Sequence, residues 1–423
     1  MSSSSSSGVK VVGPAAAATA TAAADTTAAS VTAARATVSA AIEKVKTMDL
    51  TPTNAHLIGA TLTVTFILIL AAVLVYKARL KAANDDYMMN VLYPKVNDKL
   101  VSINDYDEPF SYLLRDYYIK TAYNCCCSGD FTNDYVSTNA LITVIAQGAR
   151  CLDFEIYSLD GVPVISASSQ SEYTMKETIN SLSLSEAFDI IIENAFSAPP
   201  KCPNNSDPLL LCLRIKSNNI MVYKEIAKLI EKKLASRLLD SRYGYAYNGD
   251  NLGRVKLSNF MGKIIIIVDE TPGTMGAKAI ANEVYKKTAL YEYVNLVIRN
   301  PTSKKTFADV ANPTPNIADV TEYSKKNIVF VLPERSSRAE NSDTGAVLAH
   351  TQGHQLVAMS FQSGDAAMKA YNSKFDDDRH AFILKPANLR YTPLTVDAPT
   401  PVDPTRTLNS DMSGETGVGE YSI

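Results

Sequence analysis

The sequence predicts an α/β protein, a (β/α)8 barrel of the TIM type preceded by one transmembrane helix and a disordered N-terminal arm. Three observations lead there: an uncharged apolar run of about 20 residues, enough to span a bilayer, about eight short apolar runs alternating with amphipathic stretches, and two flanks poor in large apolar side chains. The first flank, 1–54, is Ser-rich and then Ala- and Thr-rich, and its few large apolar groups cannot offset the entropy of ordering. The apolar run begins at Leu57 and ends at Tyr76, LIGATLTVTFILILAAVLVY. As a helix it is about 30 Å long, the thickness of a hydrocarbon core, so a lipid bilayer is its expected partner. Lys77, Arg79 and Lys81 crowd its C-terminal end, which predicts a translocated arm and a barrel facing the cytosol.

The expected organisation is therefore an arm over 1–54, a transmembrane helix over 55–77, a juxtamembrane linker over 78–99, a barrel over 100–394 and a disordered tail over 395–423. Expected strands are YYIKTA (117–122), CLDFEIY (151–157), VPVIS (162–166), LLLCLRI (209–215), KIIIIVD (263–269), NIVFVLP (327–333), QLVAMSF (355–361) and AFILK (381–385). Their unbroken apolar character fits strands buried on both faces. Helical periodicity is clearest at 184–196, 221–239 and 365–375.

Composition excludes several classes of function. A formal net charge of -3 gives no broad basic field, so nucleic acid is not an expected partner. Six cysteines, three of them consecutive at Cys125, Cys126 and Cys127, read as reduced thiols, in keeping with a cytosolic barrel. The triplet is expected as a loop of buried or idle thiols rather than as sites for acyl chains, Cys151 and Cys212 as small buried hydrophobes in apolar runs, and no Cys-x-x-Cys pairs or nearby histidines suggest zinc. The four histidines are His56, His350, His354 and His380, so the whole stretch from 57 to 349 lacks an imidazole.

Several segments, in order, resemble the eukaryotic phosphoinositide-specific phospholipase C barrel with its X and Y halves. GHQLVAMSFQSGDAAMKAYNSKFDDDRHAFILKPANLRY (353–391) is similar to the closing run of that family, and GARCLDFEIYSLDGVPVIS (148–166) to the X-half segment carrying two calcium-binding carboxylates. NLGRVKLSNFMGKIIIIVDE (251–270) resembles the strand that closes X, and LYEYVNLVIRN (290–300) the opening of Y. The resemblance implies two catalytic histidines, which fall at Ala122 and Ala167, and a calcium site at Tyr123, Asp153, Glu155 and Arg214. Its phosphate-gripping lysines fall at Ile267 and Asp269, and its inositol-stacking ring near Ser342.

On this alignment only Asp153 and Glu155 remain acidic, and Arg214 is expected to pair with one of them in place of a metal. No cofactor is expected. Arg335 and Arg338 read as a solvated basic loop. The expectation is a membrane-anchored barrel that is not an enzyme and serves as a structural or binding scaffold with unidentified protein partners. The alternatives are a divergent phosphoinositide phosphodiesterase or a noncatalytic phosphoinositide-binding protein. The absence of Trp beside 22 Tyr fits an AT-biased genome, of a large DNA virus or a protist. In a virus, the internal membrane of the virion would be the expected location.

Overall fold

The computed structural model describes residues 52–104, 108–170, 175–199, 201–245, 252–270 and 283–392, with residues 36, 39, 40 and 43. Nearly all of the arm, all of the tail over 395–423 and residues 271–282 between the two halves lie outside the described residues. The chain divides into two compact units, Met1–Leu80 and Lys81–Ile423.

The first unit holds most of one α-helix, Pro52–Asp86, and the span His56–Leu92 is long and apolar enough to cross a membrane. Leu62, Phe66, Ile69 and Leu74 are exposed along it. Its three threonine hydroxyls at Thr61, Thr63 and Thr65 donate to the carbonyls four residues earlier at 2.8, 2.9 and 2.8 Å. Such back-bonding satisfies a hydroxyl where no water is available.

In the second unit the described residues form an 11-stranded sheet. Its strands are β1 Tyr117–Ala122, β2 Cys151–Leu159, β3 Val162–Ile165, β4 Leu182–Ser183, β5 Leu209–Lys216, β6 Ile264–Asp269, β7 Leu296–Ile298, β8 Lys304–Thr306, β9 Phe330–Leu332, β10 Leu356–Met359 and β11 Phe382–Leu384. Eight of these, in the order β7-β6-β5-β2-β1-β10-β9-β8, pair in parallel as a nearly closed barrel. Strands β5 and β6 are buried along their whole length, because helices cover the outer face and side chains fill the inner one. The helix Leu184–Ala195 buries Leu184, Ala187, Phe188 and Ile191, one apolar stripe at helical spacing. The helix Ile220–Leu229 starts where the Asn219 side chain accepts from the Met221 amide at 3.0 Å.

The structure corrects several expected elements. VPVIS and AFILK are strands, but β3 pairs antiparallel with β2 and β11 antiparallel with β1, so neither is a stave of the barrel. Their places go to β7 and β8, whose sequences LVI and KKT are too short for a periodicity to register. The helix expected over 221–239 is α-helical only to Leu229, then π-helical over Ile230–Leu234 and 3-10 over Ala235–Arg237. Residues 81–99, expected as linker, count with the barrel unit and are held to it. The Asn84 amide donates to Asp134 at 2.7 Å, Met88 is buried, and the Tyr93 hydroxyl donates to the Phe361 carbonyl at 2.9 Å. All six cysteines are buried and unpaired, the 125–127 triplet in the turn after β1.

His350 and His354 are core residues away from the C-terminal strand ends. His354 sits just before β10 with Nδ1 2.8 Å from the Ser324 hydroxyl and Nε2 3.2 Å from the Gln352 side-chain oxygen. The His350 ring stacks on Tyr371. Burial lowers the His354 pKa to about 3 and that of His350 well below its ordinary value. A histidine kept neutral in the fold contributes stability that is present above its unfolded pKa of about 6.5 and is lost as pH falls toward its folded value. The urea midpoint of the full-length protein should therefore drop between pH 6.5 and 4, and H354Q should show a shallower drop. Equal slopes would remove His354 as a source of the acid sensitivity.

Candidate active site

The site lies at the C-terminal ends of β1, β2 and β5. Alternation along β2 turns Asp153 and Glu155 to the same face, and the parallel register sets Glu155 directly opposite Arg214 on β5. The Arg214 guanidinium donates from Nε to Asp153 Oδ1 at 2.7 Å and from Nη2 to Asp153 Oδ2 at 2.8 Å, a two-pronged pair. Nη2 also donates to Asn124 Oδ1 at 2.7 Å, and Nη1 lies 3.6 Å from Glu155 Oε1. The ring of Tyr123 covers the guanidinium at 4.9 Å. None of the three charged side chains is more than 3% exposed.

A second layer of cations reaches Glu155. Arg335 donates to Glu155 Oε1 at 2.7 Å and to the carbonyls of Ser168 and Gln170 at 3.1 and 2.6 Å. Lys216 Nζ lies 3.6 Å from the same carboxylate oxygen. Burial pushes the Glu155 carboxyl up, but Arg335, Arg214 and Lys216 together outweigh it and hold the pKa near 2. Burial of Lys216 outweighs the pull of Glu155 and lowers its ammonium to about 7. Burial also works against the Arg214 charge, and Asp153 and Glu155 overcome it. Two polar atoms in this cluster, Glu155 Oε2 and Asn124 Nδ2, are buried without a hydrogen-bond partner.

The residues singled out in the sequence fall as follows. Ala122 and Ala167 are fully buried methyl groups. Tyr123, Asp153, Glu155 and Arg214 do come together, with the ion pair expected for Arg214. Ile267 is buried within β6, and Asp269, at the end of that strand, binds Lys304. The Ser342 hydroxyl accepts from the Gly345 amide at 3.2 Å and is not part of the cluster. Arg335 corrects the solvated-loop expectation, since only 24% of its side chain is exposed and it is paired with Glu155. Sequence reasoning missed Asn124 and Lys216. Asn124 stands one place after Tyr123 in a left-handed turn at φ 41°, a conformation asparagine tolerates, and that turn swings its amide inward.

The calcium implied by the resemblance does not fit these residues. Calcium takes six to eight oxygens at about 2.3–2.6 Å. Here Asp153 Oδ1 and Oδ2, Asn124 Oδ1 and Glu155 Oε1 already face a guanidinium. A dication would have to displace that positive charge.

Residues 110–270 match the family model of the phosphatidylinositol-specific phospholipase C X domain, and residues 291–388 match that of the Y domain. The chain belongs to the phosphatidylinositol-specific phospholipase C family. Among solved structures it is similar to PLC21 of L. pealei, with a TM-score of 0.53 and 18% identity over 67% of this chain and 38% of that one. It is similar also to PLC21 of S. officinalis, with a TM-score of 0.53 and 18% identity over 72% of this chain and 41% of that one. These likenesses show a shared barrel, and the chain spans about two fifths of the length of either. No curated protein sequence matches it.

Family membership overturns the expectation of a non-enzyme, because both matched domains are those of phosphatidylinositol-specific phospholipase C. That expectation ran from missing imidazoles, metal ligands and phosphate-gripping lysines to missing activity. The step fails physically: phosphoryl transfer depends on positioned charge and a proton acceptor, and neither has to be a histidine.

Breaking the buried pair from one side strands a charge. Arg214→Met should cost about 3–5 kcal/mol of stability in chemical denaturation, and Arg335→Met, nearer solvent, should cost less. A cost below about 1 kcal/mol for Arg214→Met would contradict the buried-pair account.

Proposed function

We propose that the protein is a membrane-attached phosphodiesterase acting on inositol phospholipids, with its barrel on the cytosolic side of the membrane that its own helix enters. One observation carries the reading: at the strand ends Arg214, Lys216 and Arg335 gather around Asp153 and Glu155. Three cations drawn together at the strand ends suit a phosphate-bearing headgroup. Family membership supports the substrate class, and Lys77, Arg79 and Lys81 after the apolar run support the orientation. In this reading Arg335 and Lys216 hold phosphate oxygens and stabilise charge as the phosphodiester is cleaved.

With methyl groups at Ala122 and Ala167, the contribution of positioned imidazoles, about 10²–10⁴-fold, is missing, so turnover should be slow. The full-length protein in lipid nanodiscs containing phosphatidylinositol and its phosphorylated forms should release water-soluble inositol phosphate. Arg335→Met should reduce that rate at least about tenfold, the loss of one charge-stabilising donor. Release no greater than from protein-free discs, or release indifferent to Arg335→Met, would sink the reading. Orientation is checked by protease protection in microsomes: a C-terminal tag should be digested and an N-terminal tag spared, and the reverse pattern would refute the cytosolic barrel.

A further inference from the structure

The oxygens at the centre of this site are arranged as a cation's shell, and the cation they enclose belongs to the chain. We propose that Arg214 is a resident substitute for a divalent metal ion, so that the site assembles without calcium, and that this one side chain is what excludes the ion. The inference concerns the same site as the proposed activity but rests on its geometry, and it holds whether or not turnover is observed.

Three features support it. Four oxygens from three residues converge on one guanidinium: both of Asp153 at 2.7 and 2.8 Å, Asn124 Oδ1 at 2.7 Å and Glu155 Oε1 at 3.6 Å. These residues come from two separate elements, β2 and the turn after β1, as expected of a centre that organises its surroundings. The electrostatic demand is also met from within. Arg214, Arg335 and Lys216 offset Asp153 and Glu155, so a dication would enter a cluster with no negative charge left to balance. Finally, Arg214 has nowhere to go. Its backbone is fixed in β5 opposite Glu155, its side chain is 3% exposed, and the Tyr123 ring lies across it. A metal could bind only by expelling a buried charge that is held at both ends.

The test exchanges the resident cation for an anionic ligand and asks whether calcium then matters. Full-length protein in detergent micelles is freed of calcium with a chelator, and its thermal unfolding is followed while calcium, or magnesium as a control, is added to millimolar concentration. Terbium luminescence provides a second readout. The wild-type Tm should not respond to calcium, and terbium added to the wild type should show no sensitised luminescence. Arg214→Glu, which places a third carboxylate beside Asp153, should melt lower in chelator, recover by at least about 2 °C on adding calcium, and sensitise terbium. Should Arg214→Glu fail to fold without calcium, Arg214→Gln removes the charge with less repulsion and should show a smaller calcium-dependent rise. A wild-type protein stabilised by micromolar calcium would overturn the proposal. So would two variants that both ignore calcium, or that respond to magnesium and calcium alike.

Discussion

Arg214 carries its charge into a barrel interior where only 3% of its side chain meets solvent, and two carboxylates have to stand beside it for that charge to be tolerated. An ion removed from water loses several kcal/mol of solvation unless its partners restore it. The restoration here depends on strand register: one residue of slip between β2 and β5 would turn Glu155 and Arg214 to opposite faces. The pair therefore ties the register of the two longest barrel strands to the electrostatics of the mouth.

The surrounding loops are built onto that pair. The turn after β1 is held by its backbone to Asp153, with the Asn124 amide donating to Oδ2 at 3.0 Å and the Cys125 amide to the Asp153 carbonyl at 3.1 Å. The loop that bears Arg335 is stitched to the same region. The Phe131 amide donates to the Ser337 carbonyl and the Ala339 amide to Asp130, while Asp134 accepts from the Asp130 amide and from Asn84. Hydrogen bonds thus link the start of the barrel unit, through residues 130–134, to the loop whose guanidinium contacts Glu155. At the seam between β7 and β8 the staves are not paired directly among the described residues. There Lys304 of β8 reaches across to Asp269 of β6, while Arg299 and Glu270 join the ends of β7 and β6.

What was legible in the sequence follows from length and burial. The staves β1, β2, β5 and β6 are six to nine residues of nearly continuous apolar character, and strands buried on both faces must read that way. The staves β7 and β8 have three residues each, and KKT contains no apolar side chain. They are strands because their neighbours supply hydrogen bonds, a fact no window along the chain contains. The same applies to β3 and β11, whose apolar patterns are correct but whose direction is set by antiparallel partners.

The sequence by itself determined the apolar span from Leu57 to Tyr76 and the strand and helix alternation of a barrel, because both depend on residue type and spacing, and its family resemblance marked Ala122, Ala167 and the opposition of Arg214 to two carboxylates. Only the tertiary structure decided that Asn124 rather than Tyr123 supplies an oxygen, that Arg335 comes from 180 residues beyond Glu155 to pair with it, and that Lys216 completes the cluster. These contacts link segments remote in the chain, and a side chain's charge is decided by what the fold packs against it.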